Sequence, residues 1–163
     1  PEKTREAFTE DGFLRTGDVG EVDELQRLRI TGRAKEIFKT SKGKYVAPAP
    51  IENKLGAHPR IEAVCVAGAS QGQPCALVML SPDAAADSRE ALTKSLADHL
   101  QAVNATLDPH EQLDFITLVK EPWNVENGFI TPTLKIKRNV IESAYGPLLE
   151  GWYARRQPVI WQN

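Results

Sequence analysis

Apolar positions are spaced most regularly between Asp87 and Leu107, where Leu92, Leu96, Leu100, Val103 and Leu107 recur at steps of four, four, three and four. That spacing lines one face of an α-helix, so the stretch is predicted helical. Asp87 with Glu90 resembles a capping box at its start, with Asp where Ser or Thr is usual, and Asp108-Pro109 ends it. Two apolar runs, Ile61–Ala69 and Cys75–Leu80, flank the turn-forming Gln71-Gly72-Gln73-Pro74 and read as a buried hairpin or near-hairpin. Phe115–Val119 is a third strand. Pro48 and Pro50 favour a helix start near Ile51, which His58-Pro59 ends. Asn127-Gly128 marks a turn, and Arg138–Leu149 reads as a closing helix that Gly146-Pro147 interrupts.

The first part of the chain has a weaker pattern. Residues 3–8 read as a short helix after Pro1, a residue suited to a helix start. Phe13-Leu14-Arg15 and Leu28-Arg29-Ile30 alternate as strands do, with Val22-Asp23-Glu24 between them like a hairpin turn. Strands alternating with helices beyond this stretch predict a small α/β or α+β core of about 110 residues.

Composition narrows the picture. Of 163 residues, 41% are hydrophobic, enough for an ordinary core; 26% are charged and the net charge is −2, so neither nucleic acid nor a membrane surface is expected from charge. No apolar run approaches the roughly 18–20 residues that a membrane span needs, and the opening residues carry no signal-peptide pattern. Cys65 and Cys75 each sit in an apolar run, which favours thiols in a reducing cytoplasm over a disulfide framework. A first residue of Pro rather than Met leads us to expect a piece of a longer protein.

Four short stretches carry candidate chemistry, and each has a plainer reading. Asp18, after Thr16-Gly17, is suited to accept hydrogen bonds from sugar hydroxyls; alone, it reads as a turn Asp bonding its own backbone. Thr31-Gly32-Arg33-Ala34-Lys35-Glu36 brings fixed positive charge beside a glycine; alone, it is a solvated strand end. Lys39, Lys42 and Lys44 surround Gly43 in a loop that suits phosphates; alone, the loop is simply polar. In Thr131-Pro132-Thr133-Leu134-Lys135-Ile136-Lys137-Arg138, Lys135 and Lys137 fall on one side of an extended segment; alone, this is a basic helix start.

Order and spacing carry more than any one stretch. Thr-Gly-Asp, then Gly-Arg-x-Lys-Glu fourteen residues on, then Gly-Lys-Tyr-Val-Ala-Pro with Ile51-Glu52 after it, then Pro-Thr-x-Lys-x-Lys-Arg about eighty residues later resembles the adenylate-forming, AMP-binding superfamily. Phe38-Lys39-Thr40-Ser41 running into Gly43–Pro48, and Thr131–Lys135, resemble its long-chain fatty acid–CoA ligase branch. Leu134 departs from the superfamily pattern, which has Gly before the lysine.

The resemblance implies an α+β lid domain at residues 35–163, with a small three-stranded type of sheet and flanking helices. Residues 1–34 would be a β-hairpin remnant ending the preceding adenylation domain. It implies that Asp18 and Arg33 bind the nucleotide, that Lys35 is the hinge, that Gly43, Lys42 and Lys44 form a loop lining the CoA path, and that Lys135 is the catalytic lysine. The full enzyme would use ATP with Mg2+, fatty acid and CoA. The missing N-terminal domain would be the partner, and no bound cofactor or metal is expected on this stretch alone. A cytoplasmic setting is expected, with peripheral membrane association of the full enzyme and self-association through residues 1–34 left open. Other adenylate-forming enzymes, such as fatty acyl-AMP ligases or luciferase-like enzymes, and a non-catalytic module with the lid fold remain alternatives.

Overall fold

The computed structural model describes residues 2–163; the expectation that Pro1 starts a helix falls outside them. A short helix, α1 (Glu2–Glu6), precedes an antiparallel pair, β1 (Asp18–Val22) and β2 (Leu28–Arg33). The first strand is therefore Asp18–Val22 and not Phe13–Arg15, which reaches only one bridge, between Phe8 and Leu14. The turn decides this. Asp23 Oδ1 accepts from the Leu25 and Arg27 amides at 2.9 Å each, which closes the hairpin over residues 23–27 and sets Val22 against Leu28.

A 3-10 turn (Ala34–Glu36) leads into a two-stranded ribbon, β3 (Phe38–Lys39) and β4 (Tyr45–Val46). Helix α2 (Pro48–Leu55) begins three residues before Ile51, because Pro48 sits in the first turn, where its missing N–H costs nothing. Then come β5 (Ile61–Ala67), β6 (Cys75–Leu80), α3 (Arg89–Asn104), β7 (Ile116–Leu118), α4 (Arg138–Tyr153) and β8 (Val159–Trp161). The three expected strands form one sheet, and β8 joins it as a fourth. The order is β5-β6-β7-β8, with β5 and β6 antiparallel and the two remaining pairings parallel.

Alternation along the strands divides the interior in two. Val64, Val66, Ala76, Val78, Ile116, Leu118 and Val159 face α2 and α3, where Ile51, Leu55, Leu92, Leu96 and Leu100 cover them. Cys65, Ala67, Cys75, Leu77, Met79 and Ile160 face the other way, against Trp123, Ile141, Tyr145 and Trp152. Burial pushes the thiols of Cys65 and Cys75 up to about 12, so neither is a ready thiolate.

Helices α3 and α4 also differ from expectation. The cap of α3 is Ser88, whose Oγ accepts from the Ala91 amide at 3.2 Å. Asp87 is instead held by Arg60 at 2.6 Å. Helix α4 runs through Gly146-Pro147 without a break. The carbonyl that Pro147 leaves free belongs to Ser143, and both residues are exposed, so it sits where solvent can reach it. No described helix is long and apolar enough to cross a membrane.

Leu96 is fully buried and Leu25 is exposed on the first hairpin. Leu96→Ala is expected to cost roughly 2–5 kcal/mol, against almost nothing for Leu25→Ala. Urea unfolding of the two variants checks this, and similar midpoints would contradict the placement of the core.

Candidate functional site

Asp18 opens β1 and Arg33 closes β2, so hairpin pairing sets them opposite each other. Their side chains form an ion pair at 3.3 Å. They line a groove of about 560 Å³ between the hairpin and α2, together with Arg29, Thr31, Asn53 and Lys54. Lys35, exposed, follows in the 3-10 turn.

Gly43 sits at the tip of the β3–β4 ribbon. Its amide donates to the Thr40 carbonyl at 3.0 Å, and the Thr40 amide donates back to the Lys44 carbonyl at 2.9 Å. A Cβ at Gly43 would meet only Lys39 Cε at 3.7 Å, an ordinary contact, but its φ of +80° disfavours any side chain. The Ser41 amide donates to the Gln71 carbonyl at 2.9 Å, and Lys42 Nζ donates to Gln73 Oε1 at 3.3 Å. The loop is thereby tied to the β5–β6 connection, and Lys42 is partly engaged within the protein.

Lys135 stands on a connection of nineteen residues between β7 and α4. That segment is built, although it contains no regular element. Trp123 and Ile130 are buried. Asn124 and Asn127 exchange amide-to-side-chain hydrogen bonds at 3.0 and 2.8 Å. The Lys137 amide donates to the Phe129 carbonyl at 2.8 Å, and Ile130 bridges Ile136. Above that bridge the chain turns tightly. The Leu134 amide donates to the Thr131 carbonyl, the Thr131 amide to the Lys135 carbonyl, both at 2.8 Å, and the Lys135 amide to Thr131 Oγ1 at 3.1 Å. Such a turn puts its last residue in the left-handed region, and Leu134 has φ +60°. The residue that departs from the resembled pattern therefore stands where glycine would be unstrained. Lys135 itself is exposed, and its ammonium pairs with no carboxylate among the described residues.

Three residues on, Arg138 starts α4. Its side chain is only 12% exposed. Nη2 donates to Glu52 Oε1 at 2.7 Å, and Nη1 to the Val66 carbonyl at 2.7 Å. Glu36 Oε2 lies 3.8 Å from Nη2. Glu52 Oε1 also accepts from the Val66 amide at 2.7 Å. Burial raises the Glu52 carboxyl above its ordinary value, while the Arg138 guanidinium and the Val66 amide pull it back. Both residues stand inside the motifs quoted above, yet nothing in their spacing announced that they meet. The paired Asp18 and Arg33 share one groove; Lys135 is not joined to either by a hydrogen bond or ion pair among the described residues. No three His, Cys, Asp or Glu side chains among those residues converge to hold a metal ion.

The family of AMP-binding enzyme C-terminal domains matches residues 35–157. A long-chain-fatty-acid–CoA ligase of Mycobacterium tuberculosis, FadD15, is 34% identical over 92% of this chain and 28% of its own length. A carboxylic acid reductase of Segniliparus rugosus is 34% identical over 95% of this chain and 14% of its own. The adenylation domain of a carboxylate reductase from Mycobacterium chelonae superposes with a TM-score of 0.79 at 32% identity, over 94% of this chain and 25% of that one. The chain thus spans less than a third of the length of each.

The left-handed Leu134 gives a direct test. The conformation costs a non-glycine residue about 1–2 kcal/mol, of which the greater unfolded freedom of glycine takes back about 0.5–1. Leu134→Gly is expected to stabilise the chain by roughly 0.5–1 kcal/mol in urea unfolding. A variant no more stable than the parent would remove the claim of strain.

Proposed function

The chain belongs to the family of AMP-binding enzyme C-terminal domains, the C-terminal domains of adenylate-forming enzymes, and from that premise we propose that it is the lid of an ATP-dependent long-chain fatty acid–CoA ligase. The observation that carries the reading is Lys135: an exposed ammonium, without an ion-pair partner among the described residues, on a hairpin tip fixed by hydrogen bonds. A positioned cation of this kind suits a reaction in which negative charge builds on phosphoryl oxygens.

In the first half-reaction a carboxylate oxygen of the fatty acid attacks the α-phosphorus of ATP, and the bond to pyrophosphate breaks. Lys135 offsets the charge on the phosphoryl oxygens. Asp18 and Arg33 hold the nucleotide, exchanging their mutual ion pair for contacts to ribose and phosphate. In the second, the CoA thiol attacks the acyl carbonyl, AMP leaves and the thiol proton is released. The lid turns about Lys35, Lys135 withdraws, and the backbone at Gly43 lines the path of the thiol arm, with Lys42 and Lys44 beside it. Mg2+, which the full enzyme would use with ATP, would neutralise charge on the ATP phosphates; no cluster of His, Cys, Asp or Glu among the described residues offers it a site. The exposed Phe13, Leu14, Val22, Leu28 and Ile30 of residues 1–34 support their reading as the end of an adenylation domain with an apolar face to bury.

A second reading keeps the adenylation step and changes the acceptor. The likeness to adenylation domains of carboxylic acid reductases, at the same level as that to CoA ligases, favours it. Acyl-adenylate that builds up and is not discharged when CoA is added would select this reading.

Two outcomes test the assignment. In the full-length enzyme, Lys135→Ala is expected to lower pyrophosphate release by about 10²- to 10³-fold and to spare thioester formation from supplied acyl-adenylate; equal loss of both steps would sink the role given to Lys135. The purified 163-residue chain is expected to show no ligase turnover with ATP, CoA and palmitate. Product formation by it would overturn the reading of the chain as a lid alone.

A further inference from the structure

Two clamps stand on either side of Lys35. On the hairpin side, the Ala34 amide donates to the Gly17 carbonyl at 2.9 Å, and Arg33 pairs with Asp18 at 3.3 Å. On the lid side, Glu36 reaches the Arg138 guanidinium at 3.8 Å, and Phe38 is already paired with Val46 in the β3–β4 ribbon. Lys35 is tied to neither clamp and is exposed.

We propose that Glu36 and Arg138 are positioning residues that form the lid-side stop of the hinge, confining rotation to Lys35 and carrying it to the Lys135 hairpin. The inference rests on the functional reading above and adds to it how the pivot is coupled to the catalytic loop. Arg138 is suited to the part because its other contacts do not depend on the hinge. Glu52 and the Val66 carbonyl, on α2 and β5, hold it at 2.7 Å each. It sits three residues past Lys135, at the root of the hairpin that presents that lysine. A guanidinium fixed by two lid elements can take a third partner from the hinge without moving. Glu36, half-buried and at the longer of the two ion-pair contacts of Arg138, is the element that ties the incoming chain to this fixed point. Without it, only the backbone bonds of the 3-10 turn itself hold the incoming chain until Phe38 enters the ribbon, and the pivot is no longer fixed to the lid by a side chain.

The contact is long and Glu36 is 40% exposed, so it adds little to stability. Its effect should appear in positioning. The test is Glu36→Gln in the full-length enzyme, which leaves the Arg138 contacts to Glu52 and Val66 in place. Adenylation kcat is expected to fall about 10-fold, as for a loosened catalytic geometry, with KM for ATP within about two-fold and the melting temperature unchanged. Glu36→Asp, which keeps the charge, is expected to lie between the two. A kcat equal to the parent's overturns the proposal, and so does a rate loss that follows a fall in melting temperature. Lys135→Ala, measured alongside, separates the two claims. A normal Glu36→Gln beside a Lys135→Ala that has lost adenylation removes only the hinge stop. A Lys135→Ala that still adenylates removes the functional reading, and the hinge stop with it.

Discussion

The Arg138–Glu52 ion pair is the contact on which the arrangement of this chain depends. One carboxylate oxygen receives both the guanidinium and the Val66 amide, so α2, the outer strand β5 and the start of α4 meet at a single atom. Removing one partner of such a buried pair strands a charge and costs roughly 3–5 kcal/mol, far more than a surface pair is worth. The pair fixes where α4 begins, and thereby where the Lys135 hairpin is rooted.

The hairpin itself combines rigidity with strain. Nineteen residues without regular structure would ordinarily be mobile. Here Trp123 and Ile130 anchor the segment to the α4 face of the sheet, and the reciprocal Asn124–Asn127 bonds close a turn within it. Leu134 is held in a conformation that disfavours it because the bonds around Thr131 leave the turn no alternative. Strain of this kind persists only where the surroundings over-determine it, and it sits one residue from the exposed ammonium.

Most elements were legible in the sequence because their apolar period was long or their punctuation strong. The leucine ladder of α3 and the strand Cys75–Leu80 follow from spacing and composition. What was not legible depended on contacts that no apolar period records. Asp87 matched a cap locally, but Arg60 claims it and Ser88 takes the role. Pro147 read as a helix break, and only the exposure of Ser143 shows why the break is harmless. Phe13–Arg15 is more apolar than Asp18–Val22, yet the Asp23 turn fixes which of them pairs. The three residues of β8 are too few to carry a period, and parallel pairing with β7 is what makes them a strand. Among the candidate site residues, the sequence brought Asp18 and Arg33 to notice as separate features, and the hairpin register makes them a pair. Arg138 and Glu52 are 86 residues apart, and no local pattern could have joined them.

The sheet also acts as a partition. Side chains on alternate positions of β5 to β8 belong to two apolar clusters that the backbone keeps apart. Substitutions on opposite faces share few neighbours, so their energetic effects should combine additively, whereas those on one face should be coupled. In evolutionary terms, the two apolar clusters are nearly independent reservoirs of stability: away from the Glu52–Arg138 pair that joins α2 to the start of α4, the α2–α3 side can drift without disturbing the α4 side.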